Sequence, residues 1–283
     1  MSNTAVRVLV GAIGIPLILV ILYFGNEVFL VFCAIVAFFC MNEFYNLFEH
    51  RDSKTSFLGR LIGGFTYHKF IFLLISTAIV ICFYYQRFNF VLILYFVMFM
   101  YLIFDEVLVK TDKHIEAIGT WMLSIVYIST TFGLMSLMDS TKFLVQNGAN
   151  YVFICLVMVW ASDTFAFFGG KTFGKHKLAE RISPKKTWEG SIIGFGFTII
   201  TGIVVWKFFY HDIGIVNIIV VGVIVGVFSQ LGDLFESHLK RSVSVKDSSN
   251  IIPGHGGFLD RFDSILFAVP ALYIYLYLKS VVF

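Results

Sequence analysis

The run IVNIIVVGVIVGVFSQL at residues 215–231 is followed, at residues 237–263, by SHLKRSVSVKDSSNIIPGHGGFLDRFD. The first is nearly pure hydrocarbon; the second carries Lys240, Arg241, Lys246, Asp247, His255, Asp260, Arg261 and Asp263. A mostly apolar helix of about 20 residues matches the hydrocarbon thickness of a bilayer. The join therefore predicts a membrane-spanning helix that emerges into a polar loop. Pro253, Gly254, Gly256 and Gly257 interrupt that loop, break a helix and let the backbone approach a ligand closely. Cations, acids and glycines so crowded point to phosphate and metal chemistry.

The whole chain has the same character as its first run. Of 283 residues, 58% are hydrophobic and 14% charged, with a mean hydropathy of +0.86, whereas about a quarter of the residues in soluble domains are charged. The composition predicts an all-α integral membrane protein. A net charge of +3 is too small to argue for nucleic acid as a partner. Cys33, Cys40, Cys82 and Cys155 sit inside apolar runs without Cys-x-x-Cys spacing, which suggests neither a disulfide framework nor a zinc site. The first apolar run has one nearby cation, Arg7, and no small-residue cleavage site after it, so an uncleaved span is expected rather than a signal peptide.

About nine runs are long enough to cross a bilayer: residues 6–24, 28–47, 70–85, 90–109, 118–138, 151–168, 192–209, 215–231 and 265–278. With that division, most of the 21 Lys and Arg residues fall on one side, leaving only Arg87, Lys142, Lys207 and Lys279 for the other. Short cytoplasmic loops carry the excess of cations, so the N-terminus is predicted cytoplasmic and the C-terminus external. Residues 1–150 are expected to form an N-terminal bundle of five helices. Residues 151–283 are expected to form a catalytic membrane domain of four, with long cytoplasmic loops near 169–190 and 232–264. Gly190 with Gly194, and Gly222 with Gly226, place small residues four apart, where neighbouring helices can approach closely.

If the eighth helix continues past residue 231, Asp233, Glu236, Ser237 and Lys240 share one face. Asp260 and Asp263 are three apart at the mouth of the ninth. Acidic clusters entering from two helices can hold a hard cation, and oxygen ligands beside phosphate favour Mg²⁺. Alternatively these acids pair with Lys240, Arg241 and Arg261 as interfacial ion pairs. The costliness of ionisable groups at membrane depth tells against that for the whole constellation.

In the other loop, Ser183 is read as a helix cap with Pro184 at the first helical position. Amides at that positive helix end, together with Lys185 and Lys186, suit a polyphosphate. Lys171, Lys175, Lys177 and Arg181 are read as cytoplasmic anchors. Asp163 interrupts an apolar span and is either a structural acid or a further metal or nucleotide contact. Glu27, Glu43, Asp105 and Glu106 lie near predicted membrane boundaries and are read as interfacial.

The pattern Ser237-x-Leu239-Lys240-Arg241, then Lys246-Asp247-x-Ser249, then Ile252-Pro253-Gly254-His255-Gly256-Gly257-Phe258-x-Asp260-Arg261-Phe262-Asp263 resembles the signature of the phosphatidate cytidylyltransferases, the CDP-diacylglycerol synthases. The Asp163 region, Phe173-Gly174-Lys175 and the block Ser183-Pro184-Lys185-Lys186-Thr187-Trp188-Glu189-Gly190 are similar to the same family. Phe167 departs from it, since many members carry Tyr there. The motif-bearing likeness covers roughly residues 160–264; the first five runs match only in being apolar.

The resemblance implies transfer of CMP from CTP to phosphatidic acid, Mg²⁺ dependence with K⁺ as a second cation, and a homodimer. In that scheme Asp233, Asp260, Lys240, Arg241, Lys246 and Arg261 are catalytic, and Asp233, Asp260, Asp263 and Glu236 hold the metal. Ser183, Lys185, Lys186, Glu189, Asp163, Asp247, His255, Gly256 and Gly257 contact substrates. The chain's length and lack of long extensions are expected of a bacterial plasma (inner) membrane protein with its active site facing the cytoplasm. A CTP-dependent lipid-alcohol kinase would use a similar site but transfer the terminal phosphate. A secondary transporter would cluster its charges at the bilayer midplane, not in loops.

Overall fold

The computed structural model describes residues 3–49, 66–108, 114–140, 148–252, 254 and 256–282. In chain order the helices are α1 (Asn3–Phe24), α2 (Asn26–Glu49), α3 (Thr66–Tyr84), α4 (Phe88–Leu108) and α5 (His114–Ser124). A π-helical segment, Ile125–Ser129, leads without a break into α6 (Thr130–Ser140). Next come α7 (Gly148–Phe173), strands β1 (Lys177–Ala179) and β2 (Ser183–Thr187), α8 (Trp188–Phe209), α9 (Ile215–Ser242), α10 (Leu259–Phe262) and α11 (Ile265–Val282).

Among the described residues, seven helical stretches are long and apolar enough to cross a membrane: Asn26–Phe48, Phe88–Asp105, Ile118–Ser140, Tyr151–Phe173, Trp188–Phe209, Ile215–Ser242 and Ile265–Val282. Two more apolar stretches, Val10–Phe24 and Lys69–Tyr84, are shorter. Long runs of apolar side chains with all backbone groups bonded internally are what a bilayer demands.

The chain is mostly helical, as expected, and one correction to the sequence reading arises in the connection between α7 and α8. There β1 and β2 pair antiparallel, with Lys177 opposite Thr187 and Ala179 opposite Ser183. Ser183 and Pro184 accordingly lie in a strand and do not start a helix. Proline's fixed φ suits an edge strand as well as a first helical turn, and here the available pairing partner decides. Thr187 is the actual cap: its backbone is extended and its hydroxyl accepts from the Gly190 amide at 3.2 Å.

The chain divides into two compact units, Met1–Ser140 with Asp247–Leu259, and Thr141–Lys246 with Asp260–Phe283. In the first, Tyr45 stacks on Trp121 at 4.8 Å and Phe72 lies 5.2 Å from the same indole. Helices in lipid have little hydrophobic reason to associate, so polar contacts and close packing matter more. Buried hydroxyls supply some of this, with Ser129 donating to Ser76 at 2.9 Å and Ser140 donating to the Tyr84 carbonyl at 3.2 Å.

In the second unit, glycine does that work, as the four-residue spacings predict. A side chain on Gly190 would meet the Ala166 carbonyl at 2.6 Å, and one on Gly194 the Ser162 carbonyl at 2.7 Å, so α7 and α8 touch backbone to backbone. A side chain on Gly222 would meet the Ile199 backbone at 3.1 Å and one on Gly226 the Phe195 ring at 2.8 Å, so α9 also packs close to α8. Gly232 does the same beneath the Asp263 carbonyl, which seats α9 against the turn before α11.

Candidate functional site

Helix α9 runs on through Ser242, so Asp233, Glu236 and Lys240 do share one face. Lys240 is the centre of this face. Its ammonium lies 2.5 Å from Glu236 Oε2, one turn back, and 2.5 Å from Asp260 Oδ1 on α10. Glu236 is fully buried, and Lys240 and Asp260 are each only 9% exposed. Two carboxylates sharing one cation in a nearly dry environment form a rigid triad, because each charge there needs its partner.

One turn towards the N-terminus of α9, Asp233 Oδ2 lies 2.5 Å from the Lys186 ammonium on β2. Both residues line a cavity of about 490 Å³ together with Asp163, Ser183, Lys185 and Gln230. Phe167 and Leu178 give it an apolar side. Ser191 and Gln230, also at the cavity, bond to each other, and the Gln230 amide further donates to the Ser191 carbonyl at 3.0 Å. That ties α8 to α9 at the cavity wall.

Asp263 follows α10 and its Oδ1 accepts from the Ser264 amide at 2.6 Å. Burial first, and then the nearby carboxylates Asp233, Glu236 and Asp163, push its carboxyl well above the usual carboxylate range. Asp163 in turn lies within electrostatic reach of Asp233, Lys186 and Arg261. Carboxylates from α7, α9 and the α10–α11 turn thus converge.

Of the four acids expected to hold a metal, Asp233 and Asp263 belong to this convergence, while Glu236 and Asp260 both hold Lys240. Among the described residues, no three His, Cys, Asp or Glu side chains are arranged to chelate a metal by themselves. The donor set still suits Mg²⁺, which takes one or two carboxylates and completes its shell with water and phosphate. Mutual repulsion around Asp263 is also the electrostatic situation that a cation relieves.

The remaining expected residues are distributed as follows. Arg241 donates from Nη1 to the Val245 carbonyl at 2.8 Å and from Nε to the Ile182 carbonyl at 3.3 Å, which holds the hairpin against the end of α9. Lys246 and Arg261 are exposed. Glu189 accepts from the amides of Lys175 and His176 and meets His176 Nδ1 at 2.6 Å. Its carboxylate therefore fixes the turn that leaves α7. Asp247, Gly256 and Gly257 belong to the other compact unit. Gly256 has φ +83°, a conformation that favours glycine, while His255 and Pro253 lie outside the described residues.

The sequence reading missed three kinds of residue. Lys171, read as a membrane anchor, lines the cavity. Ser191 and Gln230 also line it, and the only signal for Gln230 was a polar amide late in an apolar run. Glu43, read as interfacial, is fully buried and accepts four hydrogen bonds from the signature loop of its own unit. Ser249 Oγ donates to Oε1 at 2.7 Å and Ser248 Oγ to Oε2 at 2.9 Å. The Phe258 amide donates to Oε1 at 3.0 Å and the Leu259 amide to Oε2 at 2.8 Å.

Comparison with known proteins places these observations in a wider group. The model of a family described as the cytidylyltransferase family matches residues 5–279. The chain is 41% identical over 174 residues to the phosphatidate cytidylyltransferase of Bacillus subtilis (strain 168), a match covering 62% of this chain and 64% of the relative. It is 46% identical over 131 residues to the enzyme of that name from Staphylococcus haemolyticus, covering 46% of this chain and 50% of the relative. A third similar protein, the phosphatidate cytidylyltransferase of Staphylococcus saprophyticus, is 41% identical over 155 residues, 55% of this chain and 57% of the relative. The matches thus span roughly half to just under two thirds of these relatives.

Proposed function

Because this chain belongs to the cytidylyltransferase family, we propose that it is a CTP:phosphatidate cytidylyltransferase. A phosphate oxygen of phosphatidic acid attacks the α-phosphorus of CTP and forms the new P–O bond. The bond from that phosphorus to the bridging oxygen breaks, and pyrophosphate leaves with the electron pair. The products are CDP-diacylglycerol and pyrophosphate.

The observation that carries this reading is the cavity lined by Asp163, Lys185, Lys186 and Asp233 in a chain otherwise built of hydrocarbon. The nucleophile is already ionised at neutral pH, so no strong general base is required. The difficulty is electrostatic, since two polyanions must meet. Lys185 and Lys186 on β2, with Lys246 and Arg261, supply cations for the phosphates. Lys240 acts from behind by holding Asp260, and Arg241 by holding the hairpin that carries the two lysines. Ser183 offers a hydroxyl at the cavity wall. Asp247, His255, Gly256 and Gly257, from the signature, are proposed to contact substrate, as the resemblance implies.

Mg²⁺ is the expected cofactor, held by Asp233 and Asp263 with Asp163 alongside, and K⁺ is the expected second cation. When bound, Mg²⁺ would neutralise charge on the CTP phosphates. Asp260 and Glu236 would then orient this group through Lys240. In the same proposal the chain crosses the bilayer nine times, with its N-terminus and catalytic loops in the cytoplasm, its C-terminus outside, and two copies forming a homodimer in a bacterial plasma membrane.

The test is CDP-lipid formation from CTP and phosphatidic acid by the purified protein with Mg²⁺. Asp233→Asn and Asp260→Asn should each lower turnover by about 100-fold, the scale of losing one electrostatic stabiliser. Near-normal turnover in both would sink the assignment.

A further inference from the structure

The family signature runs through residues 247–259, yet that loop belongs to the compact unit formed by the first six helices. Among the described residues, the Glu43 side chain is a central attachment there. Glu43 lies in the last two turns of α2, is fully buried, and receives two hydroxyls and two backbone amides from the loop. Gly257 has no side chain because one there would collide with the Glu43 carboxylate and the Ser248 hydroxyl. Phe258 stacks on Phe39 of the same helix at 4.8 Å, with the rings 11° from parallel.

We propose that Glu43 is a positioning residue for nucleotidyl transfer, holding by its backbone amides the signature loop that leads in the chain to Asp260. The inference rests on the function proposed above. An ionisable side chain inside an apolar helix is costly and tends to be functional. If only stability were at stake, apolar packing at this position would serve as well or better. The two amides that Glu43 receives, Phe258 and Leu259, immediately precede Asp260 in the chain. A loop displaced by about 1 Å can cost about 100-fold in rate without any loss of binding residues. The N-terminal half of the protein then takes part in the reaction and is more than an anchor.

Glu43→Gln tests this, because the two amides bond to different carboxylate oxygens and the NH2 that replaces one of them cannot accept. In the purified full-length protein kcat should fall about 100-fold, while KM for CTP stays within about threefold, the signature of lost positioning and not of lost binding. Hydrogen exchange should show the amides of Phe258 and Leu259 losing protection while those of α2 keep theirs. A kcat within about threefold of the parent, or unchanged protection at the two amides, would overturn the proposal. Should Glu43→Gln fail to fold, Ser248→Ala with Ser249→Ala decides: the expected result is a folded protein with kcat lowered about tenfold and KM for CTP within about threefold of the parent, and unchanged kcat overturns it. A parent protein with no CTP-dependent product would defeat the proposed function instead, and the exchange measurement would still decide whether Glu43 holds the loop.

Discussion

The Lys186 ammonium lies 2.5 Å from Asp233 Oδ2, joining strand β2 to helix α9 at the wall of the cavity. Each side chain is between a quarter and a third exposed, so the pair is weakly held and open to exchange of partners. A triphosphate with its metal could take the ammonium and the carboxylate separately. Lys186→Met should raise KM for CTP by about tenfold, equivalent to one charge-assisted hydrogen bond. It should leave the melting temperature nearly unchanged; steady-state kinetics with varied CTP and a thermal melt in detergent check both.

Lys240 is different in kind, because it compensates two buried carboxylates. Lys240→Met should destabilise the protein by about 3 kcal/mol, as removal of one partner from a buried ion pair does. Adding Glu236→Gln should recover part of that loss, since one uncompensated charge is gone. Thermal melts of the single and double variants would reveal the coupling.

Asp263 gives a pH dependence. Its carboxyl in the folded protein is pushed well above the usual range by burial and neighbouring acids. The unfolded chain therefore loses its proton first as pH rises, and stability falls between the ordinary and the raised pKa. Asp263→Asn should melt higher than the parent at about pH 8 and equally at about pH 3, below the ordinary carboxylate value. The same variant should lose activity if the carboxylate faces the metal, so melts and turnover should move in opposite directions.

The backbone contact between α7 and α8 gives a prediction about packing. Gly194→Leu would drive a side chain into the Ser162 carbonyl and the Ala166 methyl. It should destabilise the protein by about 1–3 kcal/mol, the usual range for overpacking, and should lower activity because Asp163 lies one residue from that contact. A thermal melt with a parallel activity assay would register both effects.

Helices and their glycine seams were legible in the sequence because both depend on local composition. Long apolar runs can do little else in a bilayer, and Gly190 with Gly194 declares a close approach by spacing alone. The shared face of Asp233, Glu236 and Lys240 was legible for the same reason, once the helix was assumed to continue. The β-hairpin was not, since Ser183-Pro184 fits a helix start as well as an edge strand and only pairing with Lys177–Ala179 decides. Glu43 was illegible for a different reason: its hydrogen-bond partner Ser248 lies 205 residues away, and no periodicity links them. Lys171 read as an anchor because a cation at the end of a span usually is one.

The most direct test of the central claim follows the phosphorus atoms. Purified protein is given phosphatidic acid, Mg²⁺ and CTP labelled either at the α-phosphate or at the γ-phosphate. α-Label should enter the lipid fraction as CDP-diacylglycerol while γ-label leaves as pyrophosphate. γ-Label in the lipid with CDP released, or no transfer of α-label at all, would contradict it.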